Sequence, residues 1–281
     1  MSGVRVLVTG ATGKTGRRVA AGARSADAEV RTASRHGSDV AFDWHDPGTW
    51  PAALDGCDRA YLVPPAGLDV APSMVPFIAL ARRNGVERLV LLSNSVFPMG
   101  GPGVGAVHQA LAEGGPDDFV VLRPSWFMQN VTGEHYLARM VRDEDRIVTA
   151  TGEGRVGFVD ADDIAAVAVH ALFDEKRPAA ELVLTGPEAL SYSRVAEIVG
   201  VARGRPVTFE PVTPAELVER LARTYPMPFA RALAELDAVI AAGAEDRVTP
   251  DVKRVTGRPP RSFEQFATAA FRSADDRERD F

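Results

Sequence analysis

The 281-residue chain has a single cysteine, Cys57. No internal disulfide can form, and that usage suits a reducing cytoplasmic compartment. Asp58 follows Cys57 and no histidine adjoins it, so the thiol reads as an inert small residue. No run of about 18 apolar residues is present and no signal peptide precedes the first strand, so a soluble protein without a membrane partner is expected. Positive charge is not in excess: 32 Lys and Arg face 38 Asp and Glu, a net charge of −6. That leaves no electrostatic footprint for a nucleic-acid partner. The five histidines, His36, His45, His108, His135 and His170, are scattered, with no close His/Cys/carboxylate spacing for zinc, so no metal is expected. No Gly-x-Ser-x-Gly elbow is present, which excludes the usual serine-hydrolase arrangement.

What the chain does have begins at residue 9. Thr9-Gly-Ala-Thr-Gly-Lys-Thr-Gly16 follows the apolar run Val4, Val6, Leu7 and Val8. This pattern predicts a buried strand turning through glycines into a helix over Gly13–Ala23. Gly10, Gly13 and Gly16 stand three apart, as a dinucleotide site requires. Gly10 would make the tight turn, Gly13 would let the backbone approach a pyrophosphate, and Gly16 would let helix and strand pack closely. Thr12, Lys14 and Thr15 join them as candidate cofactor contacts, with N–H groups at the positive end of the helix dipole. Gly13-Lys14-Thr15 mimics the end of a P-loop, but that motif needs a glycine five residues earlier, where Val8 stands.

Strand and helix patterns then alternate, as in a doubly wound parallel sheet. Strands are expected at Val4–Thr9, Glu29–Ser34, Val40–Asp43, Arg59–Val63, Leu89–Leu92 and Phe119–Leu122. Helices are expected at Trp50–Leu54, Val70–Asn84 (ended by Asn84-Gly85) and Gly105–Glu113, with residues 100–103 a glycine-rich loop. After about residue 124 the pattern loosens. Apolar Trp126–Asn130 leads to a helix over Glu134–Arg142, a strand at Arg155–Phe158, a helix at Ile164–Phe173 and a strand at Glu181–Leu184. Asp160, Asp162 and Asp163 read as acids at that helix start. Helices Ser191–Val201, Pro214–Tyr225 and Ala230–Ala242 follow, the second opened by a Thr213/Glu216 capping box. The tail from Arg272 is mostly charged and expected to fray. The reading is therefore α/β. A Rossmann-type domain occupies 1–150, with 155–184 returning to its core, and a small, mostly helical substrate or lid subdomain occupies 185–281.

An NAD-specific site places an acid at the end of the second strand, about 20 residues on, to hold the ribose hydroxyls. Here the stretch reads Val30-Arg-Thr-Ala-Ser-Arg-His36, without an acid. Ser34 and Arg35 stand where a 2′-phosphate would sit, and a guanidinium grips phosphate bidentately. NADP(H) is thus expected over NAD(H). Asp43 and Trp44 are placed to meet the adenine, although Trp44 could equally fill the core. Pro64 and Pro65 end the fourth strand and would line the cofactor's path. Ser93 and Asn94 end the central strand, near the nicotinamide ribose or simply capping the strand.

The chain resembles the NmrA-like, atypical short-chain dehydrogenase group, and within it the ergot-alkaloid reductases of the festuclavine/agroclavine dehydrogenase type. The resemblance rests on Thr9–Gly16, Ala60–Pro65, Arg88–Ser93, Gly101–His108, Leu122–Asn130 and Thr149–Gly154. It rests above all on Gly243–Arg247 and Val255–Pro260, which the wider superfamily does not share. It implies a Rossmann core and NADP(H). It also implies that Pro124–Phe127 covers the nicotinamide, with Trp126 and Phe127 as a hydrophobic wall, unless they are only the seam between core and subdomain. Phe97 and Tyr136, and more weakly Met99 and Met128, are further substrate candidates.

Ordinary short-chain reductases use a Tyr and a Lys four residues later. Tyr61, Tyr136, Tyr192 and Tyr225 are followed at that spacing by Pro65, Met140, Ala196 and Phe229. The helix that should carry the pair has His108 instead, either a proton donor or a partner-bonded helix histidine. Reducing a ketone creates an alkoxide, and a positioned acid is worth roughly 10²–10⁴-fold there. An iminium becomes a neutral amine on accepting hydride and needs no acid. The expectation is therefore an NADPH-dependent reductase of a C=N or conjugated double bond in a mostly apolar, natural-product-like molecule, working as a monomer or homodimer. A dinucleotide-sensing regulator without turnover and a quinone reductase remain the alternatives.

Overall fold

The computed structural model describes residues 3–67 and 69–279, with side chains to residue 272. The chain runs through β1 (Arg5–Thr9), α1 (Gly16–Ser25), β2 (Glu29–Ser34), β3 (Val40–Ala41), α2 (Trp50–Leu54), β4 (Arg59–Leu62), α3 (Ala71–Arg83), β5 (Arg88–Leu92), α4 (Val104–Gly114) and β6 (Asp118–Pro124). It continues through α5 (Tyr136–Glu144), β7 (Arg146–Thr149), β8 (Arg155–Val156), α6 (Ala161–Phe173), β9 (Glu181–Leu184), β10 (Leu190–Ser191), α7 (Tyr192–Arg203) and β11 (Thr208–Pro211). Helices α8 (Pro214–Leu221), α9 (Met227–Ala241), α10 (Asp251–Thr256) and α11 (Phe263–Arg279) complete it.

Two compact units emerge. The first is Met1–Pro124 with Ala161–Leu184 and Asp251–Arg258; the second is Ser125–Asp160 with Thr185–Pro250 and Pro259–Phe281. The first holds a seven-stranded sheet in the order β3-β2-β1-β4-β5-β6-β9, parallel throughout. Its strand order reverses between β1 and β4, and in open α/β sheets ligands bind beyond the carboxyl ends at such a switch point. β5 is buried along its whole length, as a central parallel strand covered on both faces must be. One face packs α3 and α4 together; α1 and α6 pair on their own. Arg88 is buried and fixes α6 from below: its Nε–H donates to Asp118 Oδ2 at 2.6 Å, and its Nη1 donates to the carbonyls of Ala171, Leu172 and Asp174. A guanidinium on the orphan carbonyls of a helix C-terminus satisfies both charge and hydrogen bonding. Gly85 takes the left-handed conformation (φ +85°) expected of the Asn84-Gly85 stop.

The expected domain limits differ from this partition in two places. Residues 125–150 and 155–160, assigned to the nucleotide-binding half from sequence, belong to the second unit. Their apolar side chains, Val131, Leu137, Met140, Val141, Ile147 and Phe158, join that unit's own core. α10, which the sequence reading left in the lid, belongs to the first unit: Asp251 Oδ2 accepts from the Val183 N–H at 3.0 Å, and Arg258 pairs with Asp163 at 2.7 Å.

The second unit contains two small ladders, parallel β7–β11 and antiparallel β8–β10, among helices α5, α7, α8, α9 and α11. The Thr213/Glu216 capping box is formed reciprocally at the start of α8. That helix stops at Leu221 rather than Tyr225. The charged tail expected to fray continues α11 to Arg279.

Candidate functional site

The glycine turn lies beyond β1, at the switch point. α1 starts at Gly16 rather than Gly13, because the Gly13 N–H closes a tight turn onto the Gly10 carbonyl at 2.9 Å. Gly10 adopts φ +57°, and a Cβ there would lie 2.9 Å from the Val63 side chain. A Cβ on Gly16 would lie 2.2 Å from the Gly10 carbonyl oxygen, so close packing of helix on strand demands glycine. At Gly13 a Cβ would meet only the Gly10 carbonyl, at 3.1 Å, which leaves its outer face open. Thr12 and Gly13 are exposed, Lys14 is half-buried and Thr15 is buried. Burial pushes the Lys14 ammonium below its ordinary pKa. Thr9 Oγ donates to the Tyr61 carbonyl and accepts from the Val63 N–H at 2.8 Å, holding the ends of β1 and β4 together.

At the end of β2, Ser34 Oγ donates to the His36 carbonyl at 2.6 Å. Its hydroxyl shapes the turn that presents Arg35, which is exposed. Asp39, the acid nearest in sequence to this strand end, is committed elsewhere. It accepts from both the N–H and the hydroxyl of Thr32, which holds its carboxyl below the usual range. Asp43 Oδ1 accepts from the His45 N–H within its own loop. Trp44 takes the core alternative: it is buried, edge-on to Phe42 and Phe77, and its Nε1–H donates to the Val63 carbonyl at 3.0 Å. The indole thereby fixes the segment leading to the half-buried Pro64 and Pro65.

Beyond β5, the Ser93 N–H donates to the Leu122 carbonyl at 2.7 Å, while its buried Oγ has no hydrogen-bond partner among the described residues. Asn94 Oδ1 accepts from the N–H groups of Val96 and Phe97, so its side chain builds the turn. Sequence reasoning missed Arg123. Its Nε and Nη2 donate to the carbonyls of Asn94 and Ser95, and its Nη1 pairs with Glu181 at 2.5 Å. Arginine in an otherwise apolar strand was the available signal. His108 on α4 is buried, with Nδ1 3.7 Å from Glu181 Oε2, beyond hydrogen-bond reach. Burial lowers its pKa and Arg123 adds to that, against the pull of Glu181. Phe97 packs against this unit's core, and Met99 is exposed.

The remaining substrate candidates fall in the second unit. Phe127 bridges to Val159, and Trp126 is half-buried against that unit's core, which also contains Met128. Ser125 Oγ donates to Glu245 Oε2 at 3.0 Å, and Arg247 donates to Glu245 Oε1 at 3.0 Å, so the Gly243–Arg247 segment holds the start of the Ser125–Phe127 stretch. Tyr136 is buried, its ring centroid 4.4 Å from that of His135. Asp160 accepts from Gln129 and Arg261. Asp162 pairs with Arg18 in the first unit. Among the described residues, no three His, Cys, Asp or Glu side chains are grouped to hold a metal, and no helix is long and apolar enough to cross a membrane.

A nicotinamide dinucleotide fits the residues of the first unit. The glycine turn has an open outer face, an exposed arginine stands at the end of β2, and an orphaned buried hydroxyl, Ser93 Oγ, lies at the end of the central strand.

No family model matches the chain. It is 44% identical over 273 residues to the uncharacterized oxidoreductase YesF of Bacillus subtilis, covering 94% of each chain. It is 37% identical over 278 residues to festuclavine synthase II of Penicillium roqueforti, covering 93% of this chain and 96% of that one. Among solved structures, the NADPH-dependent quinone oxidoreductase QOR2 of Escherichia coli has a TM-score of 0.79 at 20% identity, covering 95% of this chain and 99% of that one. The negative transcriptional regulator NmrA, in complex with NAD, has a TM-score of 0.77 at 14% identity, covering 99% and 98%. These two likenesses show the fold.

Proposed function

The chain belongs to the NmrA-like family of atypical short-chain dehydrogenases/reductases, and from that premise we propose that it is an NADPH-dependent reductase of a mostly apolar small molecule, acting on a C=N or conjugated double bond. The observation that carries this reading is His108. It occupies the helix that should supply the proton donor, yet it is buried beside Glu181 and Arg123 and is depressed in basicity. A reduction needing no proton from that helix fits such a site better than ketone reduction, where a positioned acid is worth roughly 10²–10⁴-fold.

NADPH, when bound, supplies the hydride. The turn at Gly10–Gly16 and the N-terminus of α1 would hold the pyrophosphate. Arg35 would grip the 2′-phosphate, with Ser34 shaping its turn, and the Ser93 hydroxyl would bond the nicotinamide ribose. Pro64 and Pro65 would line the path between, while Asn94 and Arg123 keep the β5 turn in place. Relatives named for festuclavine and agroclavine support a substrate of the natural-product kind.

The test is NADPH oxidation followed at 340 nm across iminium, enone, quinone and ketone panels, beside NADPH binding followed by cofactor fluorescence. Oxidation by iminium or enone compounds but not by simple ketones is expected. Turnover confined to ketones would overturn the reading. Tight NADPH binding without oxidation across the whole panel would favour a sensor.

A further inference from the structure

Arg123 is the next-to-last residue of β6, and its side chain is 11% exposed. In the register of the parallel β6–β9 pair, Val121 stands opposite Glu181. Arg123 is two residues beyond Val121, so the arginine and the glutamate project from the same face of the sheet. The guanidinium spends all three nitrogens. Nη1 pairs with Glu181 Oε1 at 2.5 Å, Nε donates to the Asn94 carbonyl at 3.2 Å and Nη2 to the Ser95 carbonyl at 2.8 Å. Successive carbonyls of a strand point to opposite sides. Two of them held on one fork take residues 94–95 out of strand geometry. The rest of the turn is tied as well. The Ser93 and Ser95 N–H groups donate to the Leu122 and Pro124 carbonyls at 2.7 and 3.0 Å, and Asn94 Oδ1 accepts from Val96 and Phe97. The group left over is Ser93 Oγ, buried and without a hydrogen-bond partner among the described residues.

Glu181 has a second neighbour. His108 Nδ1, on α4, is 3.7 Å from Glu181 Oε2 and has no hydrogen-bond partner among the described residues. A carboxylate that orients a histidine acid lies at about 2.6–3.2 Å from it. The carboxylate therefore serves the arginine. We propose that Arg123, clamped by Glu181, is a positioning residue for the nicotinamide half of the cofactor: it sets the 93–95 turn so that the Ser93 hydroxyl faces the nicotinamide ribose. This rests on the reductase reading above, which puts that ribose at the end of β5. A guanidinium suits the task because its planar fork spans two carbonyls at once, which the single point of an ammonium cannot do.

The experiment is calorimetric titration of the full chain with NADPH and with adenosine 2′,5′-bisphosphate, which keeps the 2′-phosphate end but lacks the nicotinamide ribose. Arg123→Lys should weaken NADPH binding about fivefold, the worth of one hydrogen bond, and leave the bisphosphate within about twofold. In the Ser93→Ala background the same substitution should cost NADPH less than about twofold, because residues that act through one another are not additive. Glu181→Gln keeps an acceptor for Nη1 but removes its charge, so it should show the same split between the ligands, smaller in size. It keeps the test open if the lysine variant fails to fold, and cooperative melting is checked for each protein. Equal losses on the two ligands in variants that melt cooperatively overturn the proposal, since a loosened fold would weaken both. Full additivity with Ser93→Ala overturns it too. So does a Glu181→Gln protein that binds NADPH normally but shifts the pH profile of kcat, which would assign the carboxylate to His108. The expected binding pattern without NADPH oxidation on any substrate panel leaves the positioning role standing and removes the reductase reading, so the two failures are distinguishable.

Discussion

Asp237→Asn should make the folded protein more stable at neutral pH, and the gain should disappear in acid. Burial lifts the Asp237 carboxyl from its ordinary 3.8 to about 6, against the stabilising Ala150 N–H. Tyr136 and Tyr192, the phenols on which its charge acts, are themselves pushed well above their ordinary range, so neither carries charge in this window. Between pH 3.8 and 6 the folded state holds the Asp237 proton and the unfolded state releases it. Stability from this group is therefore full below pH 3.8, falls as pH rises to 6, and is flat above. At 1.36 kcal/mol per pH unit, the difference amounts to roughly 3 kcal/mol. Asparagine retains the acceptor for Ala150 but cannot ionise. Its stability relative to wild type should rise by about 2.4 kcal/mol between pH 4 and pH 7, the rest of the difference falling below pH 4. Any cost of burying the amide N–H₂ is the same at every pH and drops out of that change. Urea unfolding of both proteins at pH 4, 5, 6 and 7 gives the curve, and all other titrating groups cancel in the comparison. A variant offset by a constant amount across the range would refute the argument, because it would place the ionised carboxylate in a solvated or paired environment.

Arg35→Ala should weaken NADPH binding at least tenfold and leave NADH unchanged, with no loss of thermal stability, since the side chain is exposed; fluorescence titration with both cofactors checks this, and equal losses would remove the 2′-phosphate assignment. Gly16→Ala forces a Cβ to 2.2 Å from the Gly10 carbonyl oxygen, so the turn must open. Cofactor affinity should fall more than a hundredfold, with a lower melting temperature read in the same samples. Ser93→Ala removes a buried hydroxyl that has no partner among the described residues, so stability should hold or rise slightly. NADPH affinity should nevertheless fall severalfold by the same titration.

The nucleotide-binding half was legible because its signals are local. β1, β4 and β5 are mostly apolar runs stopped by glycine, proline or serine, and the parallel sheet follows from the alternation of strands with helices. The limit on that legibility shows at Trp44, where sequence left adenine contact and core filling open. What separates them is the tertiary position of Phe42, Phe77 and the Val63 carbonyl around the ring. The second unit read less well for the same reason. β7 and β11 are four residues each and pair only with one another, so neither carries enough alternation to be seen alone. α10 is six residues long and is held by its partners in the first unit rather than by its own propensity.

Asp237 was within reach of sequence reasoning. The helix over Ala230–Ala242 was expected, and the spacing Ala230, Ala234, Asp237 sets the acid on the same face as two alanines. What the spacing does not show is whether an arginine arrives from elsewhere to meet it. Glu245 and Asp160 are equally buried, and each is met, by Arg247 two residues on and by Arg261 from 101 residues away. The missing partner at Asp237 is thus a property of the assembled unit. A face that would pack more cheaply with leucine retains a charge, and a roughly 3 kcal/mol burden on a fold of ordinary marginal stability is a large fraction of the total.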